Sequence, residues 1–542
     1  MPLNLASPGI LVREVDLTIG RIDPTTDKIG GIVGPFAQGP VGTPTLVNTE
    51  NDLLNNFGKP YSTDKQYETW LCASSYLAYG GILNVIRADD AGLYNGFVGA
   101  ATSVKIKSLD HYEELGYDIN TITNVTVASK NPGSWSNGIR VAVIDGKADQ
   151  NVTLNSVGSI SIGYGITQTV PTGTTVSKTG VGAGTTETID GMFKGIVTNV
   201  VGSTVDVKFL SHVSAAGTET VQDYNNIYKF GNGAVTILNN SGVSQATPTV
   251  SLTKDWFDAQ ELSLTTATVG GTETVTTTKW NTVAERPTTS EFVSNRGGRF
   301  DELHVVVIDA KGTVTGNAGT ILEKHLNLSK AKDAEFSAGS PQYWRKYLET
   351  NSEYLFGGSA PVGVVTTGFS ANYTLAADTG WDQDGEGIIF DTIGTLNGVL
   401  SGGTDYGHKT STNTTGALNS GLDDLISGYG LFENDTAVNV DFLLQGSSQG
   451  GEENTRALAT KLIAVAEKRK DAIAFISPYR ASMITDTTDE EAATVLSDED
   501  ITDNVINFFD PVNSSSYAIF DSGYKYMFDR FSNGFRYIPL NG

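Results

Sequence analysis

Between Val438 and Arg480 the spacing of hydrophobic positions changes period repeatedly. VNVDFLLQ is a short apolar run and GSSQGG a glycine turn; EENTRALATKLIAVAEKRK then repeats apolar residues every three or four, and DAIAFISPYR is again short and apolar. That order predicts strand, turn, helix, strand. In the helix Leu458, Leu462, Val465 and Ala466 form one stripe, and Glu467, Lys468, Arg469 and Lys470 crowd the last turn, where cations meet the negative end of the helix dipole. Both strands are of the kind that helices bury on two faces. From Lys28 to Asp90 the logic repeats. IGGIVGPF predicts a strand, and Asn48 to Phe57 a short helix stopped by Gly58 and Pro60. Asp64 caps a longer helix with Tyr67, Trp70, Leu71, Ser74, Leu77 and Ala78 along one side, Gly80 and Gly81 end it, and ILNVIRA follows as a strand. The two regions together predict one layered sheet.

Elsewhere the period shortens to two. Residues 150 to 290 are dominated by Thr, Val, Gly and Ser in alternation, as in TVSLT and ETVTTTKW, and read as an all-β insertion. Its T-G-T, G-G-T and T-E-T fragments keep no fixed period, which argues against a solenoid. Before it, Asn131 to Gly138 is a turn cluster leading into the strand IRVAVID; after it, DELHVVVIDAKGTVTGNAGTILEKHLNLS predicts two strands, and PQYWRKYLE a helix returning the chain to the core. Asp486 to Asp503 reads as an acidic linker. It precedes YAIFD, YKYMFDRF and FRYIP, strands whose Tyr517, Tyr524, Tyr526, Phe528, Phe531, Phe535 and Tyr537 favour core packing over a ligand groove. Residues 1–23 form an arm. ILVREVDLT is too short and too charged to bury itself, so it either joins an edge of its own sheet or crosses to another chain. The expected fold class is a multidomain α/β (α+β) protein. A discontinuous α/β sandwich core (24–90 and 354–542) carries a β-rich, sandwich- or barrel-like insertion (91–353), of which 91–150 with 291–353 is the inner part and 151–290 the outer, protruding part.

A length of 542 residues exceeds one core. The 61 glycines, with only 18% charged residues, push the balance toward turns and short strands. A formal charge of -25 repels phosphate backbones, and no Lys/Arg cluster interleaved with aromatics overrides it, so direct nucleic-acid binding is not expected. The single cysteine, Cys72, permits no disulfide within one chain and fits assembly in a reducing cytosol as a small buried residue. MPLNLASPG lacks the basic and apolar regions of a signal peptide, and no apolar run approaches the roughly 20 residues of a membrane helix. A soluble chain without membrane insertion is expected.

Four patterns imitate catalytic or binding motifs. Gly446-Ser-Ser448-Gln-Gly450 matches G-x-S-x-G in a strand-turn-helix setting, but His111, His212, His304, His325 and His408 all precede the serine, whereas a nucleophile elbow needs a later histidine. From Gly402 to Thr410 a P-loop fails by one residue, with His408 where the lysine belongs and Lys409 after it. Asp382, Asp384, Gly385 and Asp391 occupy positions of a calcium loop whose first position is Gly380 and whose last lacks glutamate. The run Asp489, Glu490, Glu491, Asp498, Glu499, Asp500 reads as a solvated face, and zinc-type Cys/His spacing is lacking. No catalytic, cofactor or metal residue is assigned.

Several stretches, in order, resemble the sheath protein of contractile phage tails, in particular those of T4-like phages and their cyanophage relatives. They are SPGILVREV (Ser7 to Val15), NDLLNNFGKP (Asn51 to Pro60), WLCASSYLAYGG (Trp70 to Gly81), NVIRA (Asn84 to Ala88), NPGSWSNGIRV (Asn131 to Val141), LSGGTD (Leu400 to Asp405), SSSYAIFDSGYKYMFD (Ser514 to Asp529) and FRYIP (Phe535 to Pro539). The resemblance implies a non-enzymatic, cofactor-free virion subunit, assembled in the host cytoplasm. Its partners are copies of itself in stacked hexameric rings, the tail tube protein, and baseplate and tail terminator proteins; the sheath contracts to drive the tube through the host envelope. It also implies that the arm residues Ile10, Leu11, Val12, Arg13, Glu14 and Val15 extend a sheet in a neighbouring subunit. Sheaths of this family usually continue past the position of Leu540 into a further domain; a truncated, monomeric chain is the expectation here. The alternatives are the sheath of a bacterial contractile injection device and a hydrolase built on Ser448.

Overall fold

Glycine spacing explains how the central strand, β1 (Ile29–Gly34), is packed. In the computed structural model a Cβ on Gly30 would lie 2.7 Å from the Leu83 side chain, one on Gly31 2.9 Å from the Phe432 ring, and one on Gly34 2.5 Å from Thr69. Successive residues face opposite sides of a strand, so one sheet face presses on the helix carrying Thr69 and Tyr76, and the other on the segment carrying Phe432. The structure describes residues 28–61, 66–171, 173–177, 186–221, 228–239, 241–265, 267–269, 272–361, 381–406, 420–448, 450–485 and 493–541. The expected arm, with Ile10, Leu11, Val12, Arg13, Glu14 and Val15, lies outside them.

The chain divides into two compact units, one built from the residues up to Ala91 and from Gly416 onward, the other from Gly92–Thr415. In the first unit β1 is followed by β2 (Thr45–Val47), α1 (Glu50–Phe57), α2 (Gln66–Ala78) and β3 (Ile82–Arg87). After the second unit come α3 (Leu422–Gly430), β4 (Phe442–Leu444), α4 (Glu452–Arg469), β5 (Ile473–Ile476), α5 (Asp498–Phe509), β6 (Ala518–Phe520), β7 (Tyr524–Asp529) and β8 (Gly534–Pro539). The sheet runs β2-β3-β1-β4-β5-β6, parallel throughout except for β2, with Ile29 beside Ile82 and Gly30 beside Phe442. β7 and β8 form a separate antiparallel hairpin.

Three expectations need correction in this unit. α2 does not bury a single stripe; Tyr67, Glu68, Trp70, Leu71, Cys72, Ser75 and Leu77 are all buried, while Ala78 is exposed. The reason is the β7-β8 hairpin, which covers the side of α2 turned away from the sheet. Phe531 meets Trp70 edge-on at 5.0 Å, the Arg536 guanidinium lies 4.4 Å from the Tyr67 ring centre, and the Cys72 thiol faces the Pro539 carbonyl at 3.6 Å. Second, the end of the expected acidic linker is helix: Ser497 caps α5 by accepting from the Asp500 N–H at 3.2 Å, and Asp498, Glu499 and Asp500 sit in the first turn, where the helix dipole favours them. Third, the aromatics of the two hairpin strands share one face, and it is not the one turned to the core. Ile538, on the opposite face, is buried, whereas Tyr526, Phe528 and Phe535 are 56%, 47% and 49% exposed; Phe535 stacks on Tyr526 and meets Phe528 edge-on outside the core.

The second unit holds a four-stranded antiparallel sheet, in spatial order Thr320–Ser329, Glu302–Asp309, Ile139–Asp145, Thr395–Val399, and a three-stranded one of Leu355–Gly357, Val125–Ser129 and Phe97–Gly99. The strands at 355–357 and 395–399 pair here, whereas the sequence reading placed 354 onward with the α/β core. The helix Trp344–Asn351 belongs to this unit: Trp344 and Leu348 pack against Val141 and Val305. The β-rich insertion forms a nine-stranded sheet between residues 150 and 255, with its own core around Phe193, Val197, Phe209, Phe230 and Ile237.

Candidate functional site

In an open parallel sheet, ligands bind beyond the carboxyl ends of the strands where the strand order reverses. Here that place lies between β1 and β4, and the turn leaving β4 carries the G-x-S-x-G match. Gly446 supplies the left-handed backbone the turn needs, with φ +62. The Ser447 N–H then donates to Thr69 Oγ1 of α2 at 3.0 Å. Ser448 is 7% exposed, and its hydroxyl shares a 2.6 Å hydrogen bond with Thr455 Oγ1 in the first turn of α4, whose own hydroxyl donates to the Gly451 carbonyl at 3.0 Å. Gln445 is equally engaged: its side-chain oxygen accepts from the Ser477 N–H at 2.9 Å and its carbonyl from the Tyr429 hydroxyl at 3.0 Å. Asn541, after β8, reaches back to the Gly446 carbonyl at 3.4 Å. The protein's own side chains therefore fill the crevice. All five histidines fall between Gly92 and Thr415, in the other unit, so the turn has no imidazole base in its unit.

The remaining imitations come apart in the same way. In the calcium-like loop, Asp382 turns to the Tyr343 hydroxyl at 2.6 Å and the Trp344 indole at 3.2 Å, while Asp384 is exposed beside Lys332 at 3.5 Å. The Asp391 carbonyl accepts from the Lys330 ammonium and the Trp381 indole. Of the P-loop-like stretch, Gly403 exchanges hydrogen bonds with the Asn137 amide at 2.8 and 3.0 Å and Thr404 pairs with Tyr94; His408, Lys409 and Thr410 lie outside the described residues, as do Asp489, Glu490 and Glu491. Burial pushes the Cys72 thiol far above its ordinary range, which keeps it protonated and unreactive. Among the described residues no three His, Cys, Asp or Glu side chains are grouped as a metal ion requires, and no helix is long and apolar enough to cross a membrane.

The strongest polar groups instead tie elements together, and none was singled out from sequence. Arg87 donates to the carbonyls of Phe36 at 2.8 Å, Ala37 at 3.2 Å and Gly39 at 2.8 Å, and so fixes the loop after β1. Arg480 pairs with Glu68 at 2.8 Å, joining the loop after β5 to α2. In the second unit the fully buried Lys330 ammonium meets Asp145 at 2.8 Å, and the same carboxylate accepts the backbone N–H groups of Ile393 and Gly394 at 2.8 Å. Buried Asp301 accepts from the Ser290 and Ser329 hydroxyls; desolvation still raises its pKa above the usual carboxylate range. Burial likewise brings Lys208 and Lys130 down to about 8. No periodic signal marks such residues, because each partner is distant in sequence.

No family model matches the chain. Among curated proteins it is similar to the tail sheath proteins of three phages. The sheath protein of Enterobacteria phage T4 is 22% identical, over 99% of this chain and 71% of the relative. That of Salmonella phage ViI is 21% identical, over 99% and 68%, and that of Vibrio phage KVP40 is 22% identical, over 100% and 73%. Among solved structures, a sheath tail protein of Listeria innocua covers 94% of this chain and 68% of its own at 9% identity; its TM-score of 0.30 is too low to build on. The similarity to tail sheath proteins of phages thus runs along practically the whole of this chain.

Proposed function

We propose that this chain is a structural subunit of a contractile phage tail sheath. Copies of it polymerise as stacked hexameric rings around a tail tube, and the polymer shortens to drive the tube through the host envelope. The observation that carries the reading is similarity to three tail sheath proteins along practically the whole of this chain. A second line of support is chemical: the crevice in which an α/β sheet of this order holds a ligand is filled by Thr69, Gln445, Ser448 and Asn541. The work of such a subunit is association, with the tube protein and with baseplate and terminator proteins as partners, in a virion assembled in the host cytoplasm. Residues Ile10 to Val15 serve in this reading as the strand passed to a neighbouring subunit, a link through backbone hydrogen bonds that survives rigid-body rotation. The test is to co-express the complete gene product with its tube protein and image the product by negative stain. Regularly striated tubes are expected; dispersed particles with no rods at any salt concentration refute the proposal.

A further inference from the structure

The nine-stranded outer sheet meets the rest of the second unit through a neck made of charge. Its core, around Phe209 and Phe230, is distinct from the inner cluster of Ile144, Ala148, Trp256, Phe257, Trp280 and Val306. The chain crosses outward at residues 145–150 and returns at 255–257, and these crossings lie side by side, with Gln150 opposite Asp255. Arg286, from the segment after the outer sheet, holds both. One nitrogen reaches the Asp149 carboxylate at 3.3 Å and the Asp149 carbonyl at 3.4 Å, while the other pairs with Asp255. Each carboxylate in turn orders one side of the neck: Asp149 accepts from the Phe209 N–H at 2.7 Å, and Asp255 from the Phe257 N–H at 3.0 Å. Lys208, in the middle of an outer strand, reaches inward to the Gly146 carbonyl and lies 3.7 Å from the centre of the Phe300 ring.

We propose that Arg286 is a latch: it fixes the direction of the outer sheet, and without it the outer sheet turns about residues 146–149 and 255–256 while both cores stay folded. The chemistry favours this over a general stability role. A guanidinium bridges two carboxylates through separate nitrogens, which a lysine ammonium cannot match. Its removal breaks the one bridge between Asp149 and Asp255, leaving Asp255 with the half-exposed Lys229 at 3.6 Å, which does not reach across; only short segments of chain then link two separately packed bodies, and a hinge needs just such an arrangement.

The experiment is hydrogen exchange on the full chain, comparing the wild type with Arg286→Met and Arg286→Lys. In the Met variant exchange is expected to accelerate at least tenfold in peptides covering 146–150 and 254–258, with the amides of 193–197 and 303–308 in the two cores unchanged; the Lys variant falls between. Small-angle scattering of the Met variant is expected to show a broader distribution of dimensions. Unchanged exchange at the crossings overturns the latch, and so does acceleration in the cores equal to that at the crossings, since the latter means unfolding. A Lys208→Met variant guards against misreading a loss of packing: it leaves both ion pairs of Arg286 in place and is expected to loosen the crossings less than Arg286→Met. The reverse order also overturns the assignment.

Discussion

Replacing Lys330 by methionine removes a cation from a site of zero exposure and leaves an unbranched side chain one atom shorter. The ammonium donates to Asp145 at 2.8 Å, to the Phe300 carbonyl at 3.1 Å and to the Asp391 carbonyl at 2.8 Å, and it sits 5.1 Å from the Trp381 ring. After the change Asp391 keeps the Trp381 indole as a donor, and Asp145 keeps two backbone N–H groups, but its charge loses its counter-ion. Breaking a buried pair from one side costs about 3 to 5 kcal/mol. Changing Asp145 to asparagine as well removes the stranded charge, and the double variant is expected to recover about half of that loss, about 2 kcal/mol, so that the costs of the two single changes do not add. Guanidinium unfolding followed by tryptophan fluorescence reads the second unit well, because Trp70 is the one tryptophan of the six that lies in the other unit. A cost below about 1 kcal/mol for Lys330→Met, or single costs that simply add, refutes the claim that this pair ties the strand at 139–145 to the segment at 391–394.

Three further outcomes follow from local geometry. Buried His304 accepts the Asn327 N–H at one ring nitrogen and faces the Glu285 carbonyl with the other; desolvation lowers its pKa, so the unfolded chain binds its proton more readily. This group's contribution to stability is therefore complete above the unperturbed value of about 6.5 and lost as pH falls below it. Melting temperatures from pH 7.5 to 5.5 should drop less steeply in His304→Gln than in the wild type, and identical slopes contradict the account. Ser497→Ala removes the cap of α5 and should cost about 1 kcal/mol, read as faster exchange at Asp500 and its neighbours; an unaltered rate there contradicts the cap. Ser448→Ala removes the bond to Thr455, costs about 1 kcal/mol, and leaves hydrolysis of a general ester at background; an activity abolished by that change alone returns the serine to the role of nucleophile.

What could be read in advance depended on how far away each element's partner lay. The strand-turn-helix-strand order of Val438 to Arg480 was plain because the apolar period changes within it, and β4, α4 and β5 fall where it changes. α2 was underestimated because its second cover, β7-β8, is more than 400 residues downstream, and Glu68 and Ser75 look like solvent positions until Arg480 and Met527 arrive. α5 did carry a signal, a serine cap and Ile501, Val505 and Phe508 spaced by four and three, which the surrounding acids obscured. In the hairpin, alternation places Tyr526 and Phe528 in phase, but period two alone does not say which face turns inward; Met527 and Ile538 took the core. The failed motifs had the reverse problem. G-x-S-x-G was found at once, and its inertness followed from the order of the histidines, yet only the folded chain showed Ser448 spent on Thr455.

The interleaving of the parallel sheet sets a timetable for synthesis. β1 is made early, yet its neighbour β4 begins at Phe442, and the Ile29 N–H waits for Asp441 across 412 residues. At about 5 to 20 residues per second, that interval lasts roughly 20 to 80 s. Throughout it β1 and β3 have helices α1 and α2 but neither β4 nor the hairpin, so the nascent first unit displays Trp70 and Leu444's future contacts while the whole second unit emerges and folds. A cell making this protein therefore holds its earliest strands open for chaperones, and slow codons between Gly92 and Thr415 lengthen that exposure.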